Sequence, residues 1–368
     1  MEMRCWLKTS SALYPNLYVF LVGNPGVGKN RIIRKAKQMM NEIPEFHFAP
    51  TSVTSASLAD TLQASKRFIP RLPDTPLEYH NTTITSEELS AFMNEYDKAM
   101  IGLLTALYDD DPYNEERRGR PEGKIKIAHP LLNLISGTTP SNLVTMMPDY
   151  AWDQGFTSRI VMIHSDERIV GDDFADRHVE LDQDLSHDIK IIANLLGQFK
   201  VTEEYRDAVN AWREVGESLP GLPAPSHPKL LHYKTRRRVH LYKLSMVSCA
   251  DRSDVLLLTK ADFNRAMGWL VEAEAQMPDI FTSGSTGTDS RALEEIGHFI
   301  ELTDRGDGVR EQLIINFARK RIPVHSIMRV IEILTASGMI IPRGQDRFGH
   351  RWFRSAKSLN GGEPSGLN

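Results

Sequence analysis

The apolar run Tyr18-Val19-Phe20-Leu21-Val22 leads directly into Gly23-Asn24-Pro25-Gly26-Val27-Gly28-Lys29-Asn30, and no other feature constrains this chain as much. Aromatic and β-branched residues mark the first five as a buried strand. Arg31–Met40 then places Ile32, Ile33, Ala36, Met39 and Met40 on one helical face. A strand, a glycine-rich turn and a helix in this order make a βα unit. The glycines let successive backbone N–H groups curl around an anion without Cβ clashes. The helix N-terminus adds partial positive charge. The candidate phosphate-binding residues are therefore Gly23, Asn24, Pro25, Gly26, Val27, Gly28, Lys29, Asn30 and Arg31, with the Lys29 ammonium reaching the outer phosphates of a nucleoside triphosphate. Asn30 occupies the position where such loops usually offer a Ser or Thr hydroxyl to Mg²⁺. An amide oxygen there is a weaker ligand, which favours binding over fast hydrolysis.

Downstream, short strands alternate with helical patterns. Phe46–Ala49 reads as a strand and Ser57–Phe68 as a helix. Thr82–Thr85 is a strand and Leu89–Tyr108 one long helix. Asp109–Lys124 is a charged loop or arm, and Leu131–Ser136 and Arg159–His164 are further strands. This alternation predicts a mostly parallel sheet covered on both faces, over residues 12–166. The next stretch, Asp166–Asp188, holds nine acids and two arginines. Helical patterns at Leu185–Gln198, Glu203–Val215, Val239–Ala250 and Lys260–Met277 then predict a helical domain over 167–281, joined by a Gly/Ser/Thr-rich connection at Thr282–Asp289. Residues 290–357 read as three helices and a two-stranded hairpin, the pattern of a winged helix. Leu313–Lys357 carries nine Lys/Arg against two acids. Residues 358–368 read as a frayed tail.

A phosphate loop needs acids at the tip of a neighbouring strand. Ser86-Glu87-Glu88 ends the Thr82–Thr85 strand. Glu87 suits the Mg²⁺ side and Glu88 the general base, with a one-residue slip left open. Both also suit the first turn of the following helix, where acids favour the dipole.

In the order of these motifs the chain resembles an AAA+ ATPase, more narrowly the phage- and prophage-encoded helicase-like or primase-associated ATPases, over about residues 15–280. The resemblance implies an α/β P-loop NTPase core with a helical lid and a C-terminal winged helix. It implies ATP and Mg²⁺ as cofactors, with Asn30 and Glu87 on the metal. It also implies a polar sensor at the end of the Leu131–Ser136 strand, for which Thr138 or Thr139 is the candidate and Asn133 a poorer one. Arg159, in Gly155-Phe156-Thr157-Ser158-Arg159, resembles the arginine that faces a neighbouring subunit's nucleotide; an internal salt bridge is the alternative. In Arg236-Arg237-Arg238, before the Val239 helix, one arginine resembles the second sensor of the lid, assigned here to Arg237. The others are left to face DNA, the acidic segment or solvent.

The implied activity is a DNA-directed ATPase, a replicative helicase or its loader, working as a homo-oligomeric ring in the cytoplasm. Lys124 and Lys126 would then face DNA in the ring. Arg319, Lys320, Arg321, Arg343, Arg347 and Arg351 would contact phosphates from the winged helix. A slowly hydrolysing, nucleotide-switched DNA-binding assembly or regulatory protein is the competing reading. A packaging motor lacks its nuclease acids here, and a small-molecule kinase would need neither the winged helix nor a trans arginine.

Composition bounds the choice. With 44 basic and 48 acidic residues the net charge is -4, so only a local patch steers the chain toward nucleic acid. Two cysteines, Cys5 and Cys249, do not make a disulfide scaffold and fit a reducing compartment. No apolar stretch reaches the length of a membrane span.

Overall fold

The structure is a computed structural model of the 368-residue chain. It describes residues 4–44, 46–69, 75–116, 124–147, 151–152, 155–168, 179–217, 224–225, 227–304, 307–319, 322, 324–345 and 349–356. Contacts divide it into two units, Met1–Phe281 and Thr282–Asn368.

The first unit is α/β. It contains β1 (Arg4–Lys8), β2 (Ala12–Leu13), β3 (Tyr18–Val22), α1 (Lys29–Met40), α2 (Ser55–Ala64), β4 (Lys66–Ile69) and β5 (Leu77–Ser86). There follow α3 (Leu89–Phe92), α4 (Lys98–Ala106), β6 (Tyr113–Glu116), β7 (Lys124–Ile127), β8 (Pro130–Thr138), α5 (Pro140–Met146) and β9 (Ile160–His164). Then come α6 (Val179–Asn194), β10 (Leu196–Val201), α7 (Glu203–Glu214), α8 (Leu231–Arg252), β11 (Leu257–Leu258) and α9 (Lys260–Thr303), which continues past Phe281.

The central sheet has five strands in the order β4-β5-β8-β3-β9. β5, β8, β3 and β9 run parallel, and β4 is antiparallel to β5. Phe20, Ile84, Leu132, Leu134 and Met162 fill its faces. β5 is rich in Thr yet buried, because β-branched residues suit a pleated surface and the Thr82 hydroxyl donates to Ser65 Oγ at 2.9 Å. A second sheet, β11-β10-β1-β2, joins the N-terminal strand to a segment almost two hundred residues later. One hydrophobic cluster runs from Cys5 to Phe281, so residues 167–281 share their core with the central sheet.

Several elements differ from the sequence expectations. Phe46–Ala49 contributes only a single bridge, Phe48 to Thr83. The helical pattern at Ser57–Phe68 yields to β4 after Ala64. The expected helix Leu89–Tyr108 is two helices: Tyr96 adopts φ 57° and Asp97 caps α4 by accepting from Met100 N–H at 2.9 Å. The charged arm holds the antiparallel pair β6–β7. The helix expected to reach Gln198 stops at Asn194, and β10 follows. The Gly/Ser/Thr-rich connection lies within α9 rather than between two helices. The tail 358–368 lies outside the described residues. Among the described residues no helix is long and apolar enough to cross a membrane.

The second unit packs the end of α9, through Ile296 and Ile300, with β12 (Val309–Arg310), α10 (Glu311–Ala318), α11 (Val324–Ala336), β13 (Ile340–Gln345) and β14 (Arg351–Ser355). Its sheet order is β12-β14-β13, all antiparallel.

Candidate phosphate-binding site at the strand tips

Parallel strands bring their C-terminal tips to one edge, where loops converge. The register pairs Val22 with Thr138 on one side and with His164 on the other, and Ser86 with Ser136. The loop after β3, the acids after β5, Thr138 and the residues after β9 therefore share one end of the sheet. Two close backbone approaches hold the tips together. A Cβ on Gly23 would lie 2.3 Å from Ser165 O, and one on Gly137 would lie 2.4 Å from Glu87 O.

Within the loop, Gly26 and Gly28 have φ 88° and 93°, the left-handed region that glycine enters without strain. A Cβ at either would meet nothing within 4 Å. Gly28 is the N-cap of α1 and Lys29 its first residue, which is buried. The Lys29 Nζ donates to the carbonyls of Gly23 at 2.6 Å and Asn24 at 2.9 Å. Burial lowers the Lys29 pKa, while the charges of Glu88 and Asp166 pull it back up. Asn30 is half-buried one position further on.

The acids divide. Glu87 forms a two-point ion pair with Arg34 of α1, Nε to Oε1 at 2.7 Å, and hydrogen bonding to that guanidinium holds its pKa below the usual range. Glu88 is the N-cap residue of α3, and its charge acts on Lys29. Thr138 is buried; its carbonyl accepts from Gly23 N–H at 3.2 Å and its hydroxyl from Asn142 Nδ2 at 3.4 Å. Thr139 caps α5.

Asp166 belongs to this edge although the sequence reading passed over it. Its Oδ1 accepts from Asn24 N–H at 3.2 Å, and its Oδ2 lies 3.6 Å from Nε2 of the buried His164. The available signal was position: in a parallel sheet, an acid two residues past a strand neighbouring β3 reaches the loop after β3.

Two arginines are not at this site. Tyr18 pairs with Ile160, so Arg159 stands at the opposite end of β9, about 13 Å of strand from the tips. It donates to Asp109 Oδ2 at 2.9 Å and to Gly155 O at 2.8 Å, and Arg236 shares Asp109 at 3.3 Å. This is the internal salt bridge held open as the alternative. Burial pushes Asp109 up, but Arg236 and Arg159 outweigh it and hold the carboxyl low. Arg237 is buried against Glu274 with two 2.7 Å bonds and also donates to Glu217 O. It is a strut between α8 and α9, with its guanidinium committed to Glu274. Arg238 lies 3.8 Å from Glu217.

Lys124 and Lys126 are exposed on β7, Lys124 being 3.7 Å from Glu116. In the second unit Arg351 is ion-paired with Glu311 and Arg343 lies 3.9 Å from Asp307. Arg319 is exposed. Lys320, Arg321 and Arg347 lie outside the described residues. Among the described residues no group of three His, Cys, Asp or Glu side chains is placed to hold a metal. No protein-family model matches the chain, and no curated protein matches it in sequence.

Proposed function

We propose that the chain is an Mg-ATP-dependent P-loop ATPase of the AAA+ kind, directed to DNA and working as a homo-oligomer. The observation that carries the nucleotide part is Lys29, buried at the first position of α1 with its ammonium on the loop's own carbonyls beside a left-handed glycine turn. These partners are neutral, so a phosphate can replace them at little cost. The ammonium would then bind phosphate oxygens, and the N-terminus of α1 would add its partial charge. In this reading Mg²⁺ would arrive with the nucleotide, held by phosphate oxygens and its own waters, and would lower the phosphate charge. Glu88, not engaged by Arg34, is the better placed to accept a proton from water. Glu87 on the metal would first have to leave Arg34.

The DNA and ring parts rest on the resemblance and on the order of elements in the second unit. That order, helix-strand-helix-helix-strand-strand, is the one a winged helix requires. The competing reading, a nucleotide-switched assembly protein with slow turnover, is favoured by Asn30 and by the internal pairing of Arg159. Turnover measured with and without single-stranded DNA separates the two. Several-fold stimulation is expected for the DNA-directed ATPase. Slow, unstimulated turnover would give the switch reading.

A further inference from the structure

We propose that Asp166 makes the phosphate loop selective for metal-bound nucleotide by holding a loop N–H until a phosphate displaces it, and that His164 receives the displaced carboxylate. This rests on the phosphate-loop reading above.

The contact is built by backbone. Ser165 N–H donates to Val22 O at 3.1 Å, and Ser165 O lies so close to Gly23 that no side chain fits there. The segment after β9 is thereby fixed against the start of the loop, which brings Asp166 to Asn24 N–H. The Asp166 side chain remains 40% exposed, so it has room to swing. Beside it His164 is 4% exposed in its side chain, and neither ring nitrogen has a hydrogen-bond partner. Buried polar atoms without partners are costly and rare. Closing the 3.6 Å gap between Nε2 and Oδ2 to hydrogen-bond length takes a shift of under about 1 Å. His164 is thus a vacant seat next to an occupied one.

Charge gives the selectivity. Lys29 is influenced by two carboxylates, Glu88 and Asp166, so an anion entering beside it meets their negative charge. A metal-free nucleotide brings its full negative charge into that field. A metal-bound one brings less and is repelled less.

The test uses the full chain and ADP, titrated in excess Mg²⁺ and in EDTA. Asp166→Asn should raise affinity for metal-free ADP about tenfold, the scale of one nearby charge, and change Mg-ADP affinity less than about twofold. His164→Asn should lower affinity several-fold in the parent and have no effect in the Asp166→Asn background. An unchanged ratio of the two affinities in Asp166→Asn would overturn the proposal. So would loss of Mg-ADP binding, which would make Asp166 a ligand on the metal side. Asp166→Asn decides the matter even where the buried His164 variant fails to fold. Absence of ADP binding by parent and variant alike would instead remove the phosphate-loop reading, and the proposal with it.

Discussion

Lys29 and Arg237 are both buried cations, and their partners give them opposite duties. The Lys29 ammonium rests on two backbone carbonyls, neutral acceptors that leave its charge uncompensated at contact distance. Arg237 meets a full carboxylate, Glu274, through two bonds, and its remaining reach ends on Glu217 O and over the Trp212 ring. One cation meets only neutral acceptors, and the other meets a full carboxylate. Burial pushes Glu274 up, with Arg237 pulling against it, so removing the arginine strands a desolvated acid. Arg237→Ala should therefore cost about 3–5 kcal/mol of stability, read from urea unfolding, while nucleotide affinity of the folded fraction stays at the parent value. Sequence could not separate Arg237 from its neighbours. Consecutive helical residues point about 100° apart, and the deciding partner lies 37 positions away. Lys29 was legible because everything that positions it is local.

At the scale of elements, local chemistry was read well and long-range pairing poorly. β3, its glycine turn and α1 stand where their residues placed them. The break at Tyr96–Asp97 was hidden because the apolar spacing of Leu89–Tyr108 continues through it, while the cap that starts α4 is a single side chain. The first residues of β10, Leu196–Gln198, were read as the end of a helix, because the partners of that strand, β1 and β11, come from distant sequence. α8 shows how such elements are fastened: His240 Nε2 donates to Ser158 O at 2.9 Å, just ahead of β9. Burial pushes the His240 pKa down to about 4 from an ordinary 6.5. Between those values the unfolded chain binds a proton that the folded chain refuses, so stability falls as pH drops through this window and is unaffected by this group above it. The full loss is on the order of 3 kcal/mol. Urea unfolding at pH 7 and pH 5 should show that decline in the parent and a weaker one in His240→Asn. Equal declines would assign the pH dependence to other groups.

For the whole molecule, the parallel sheet decides which residues can cooperate. It gathers Gly23–Lys29, Glu88, Thr138 and Asp166 at one edge and sends Arg159 to the other. Within one chain, Arg159 therefore cannot serve the phosphate loop. A role on nucleotide would need a second copy and release from Asp109. Gly23–Lys29 and Glu88 were legible from spacing, because a strand of known direction fixes where its end points, whereas Thr138 came from the resemblance and Asp166 was missed. The partners of Arg159 and Glu87 were not legible, since each lies fifty or more positions away in sequence. The central claim is that the edge binds nucleotide through Lys29. Its most direct test is equilibrium binding of Mg-ATP to the parent chain and to Lys29→Ala, with melting temperature as the folding control. Binding by the parent and a loss of at least about a hundredfold in a variant that still melts cooperatively is expected, since an ammonium–phosphate contact of this kind contributes about 3 kcal/mol. Equal affinities, or no binding by the parent, would contradict it.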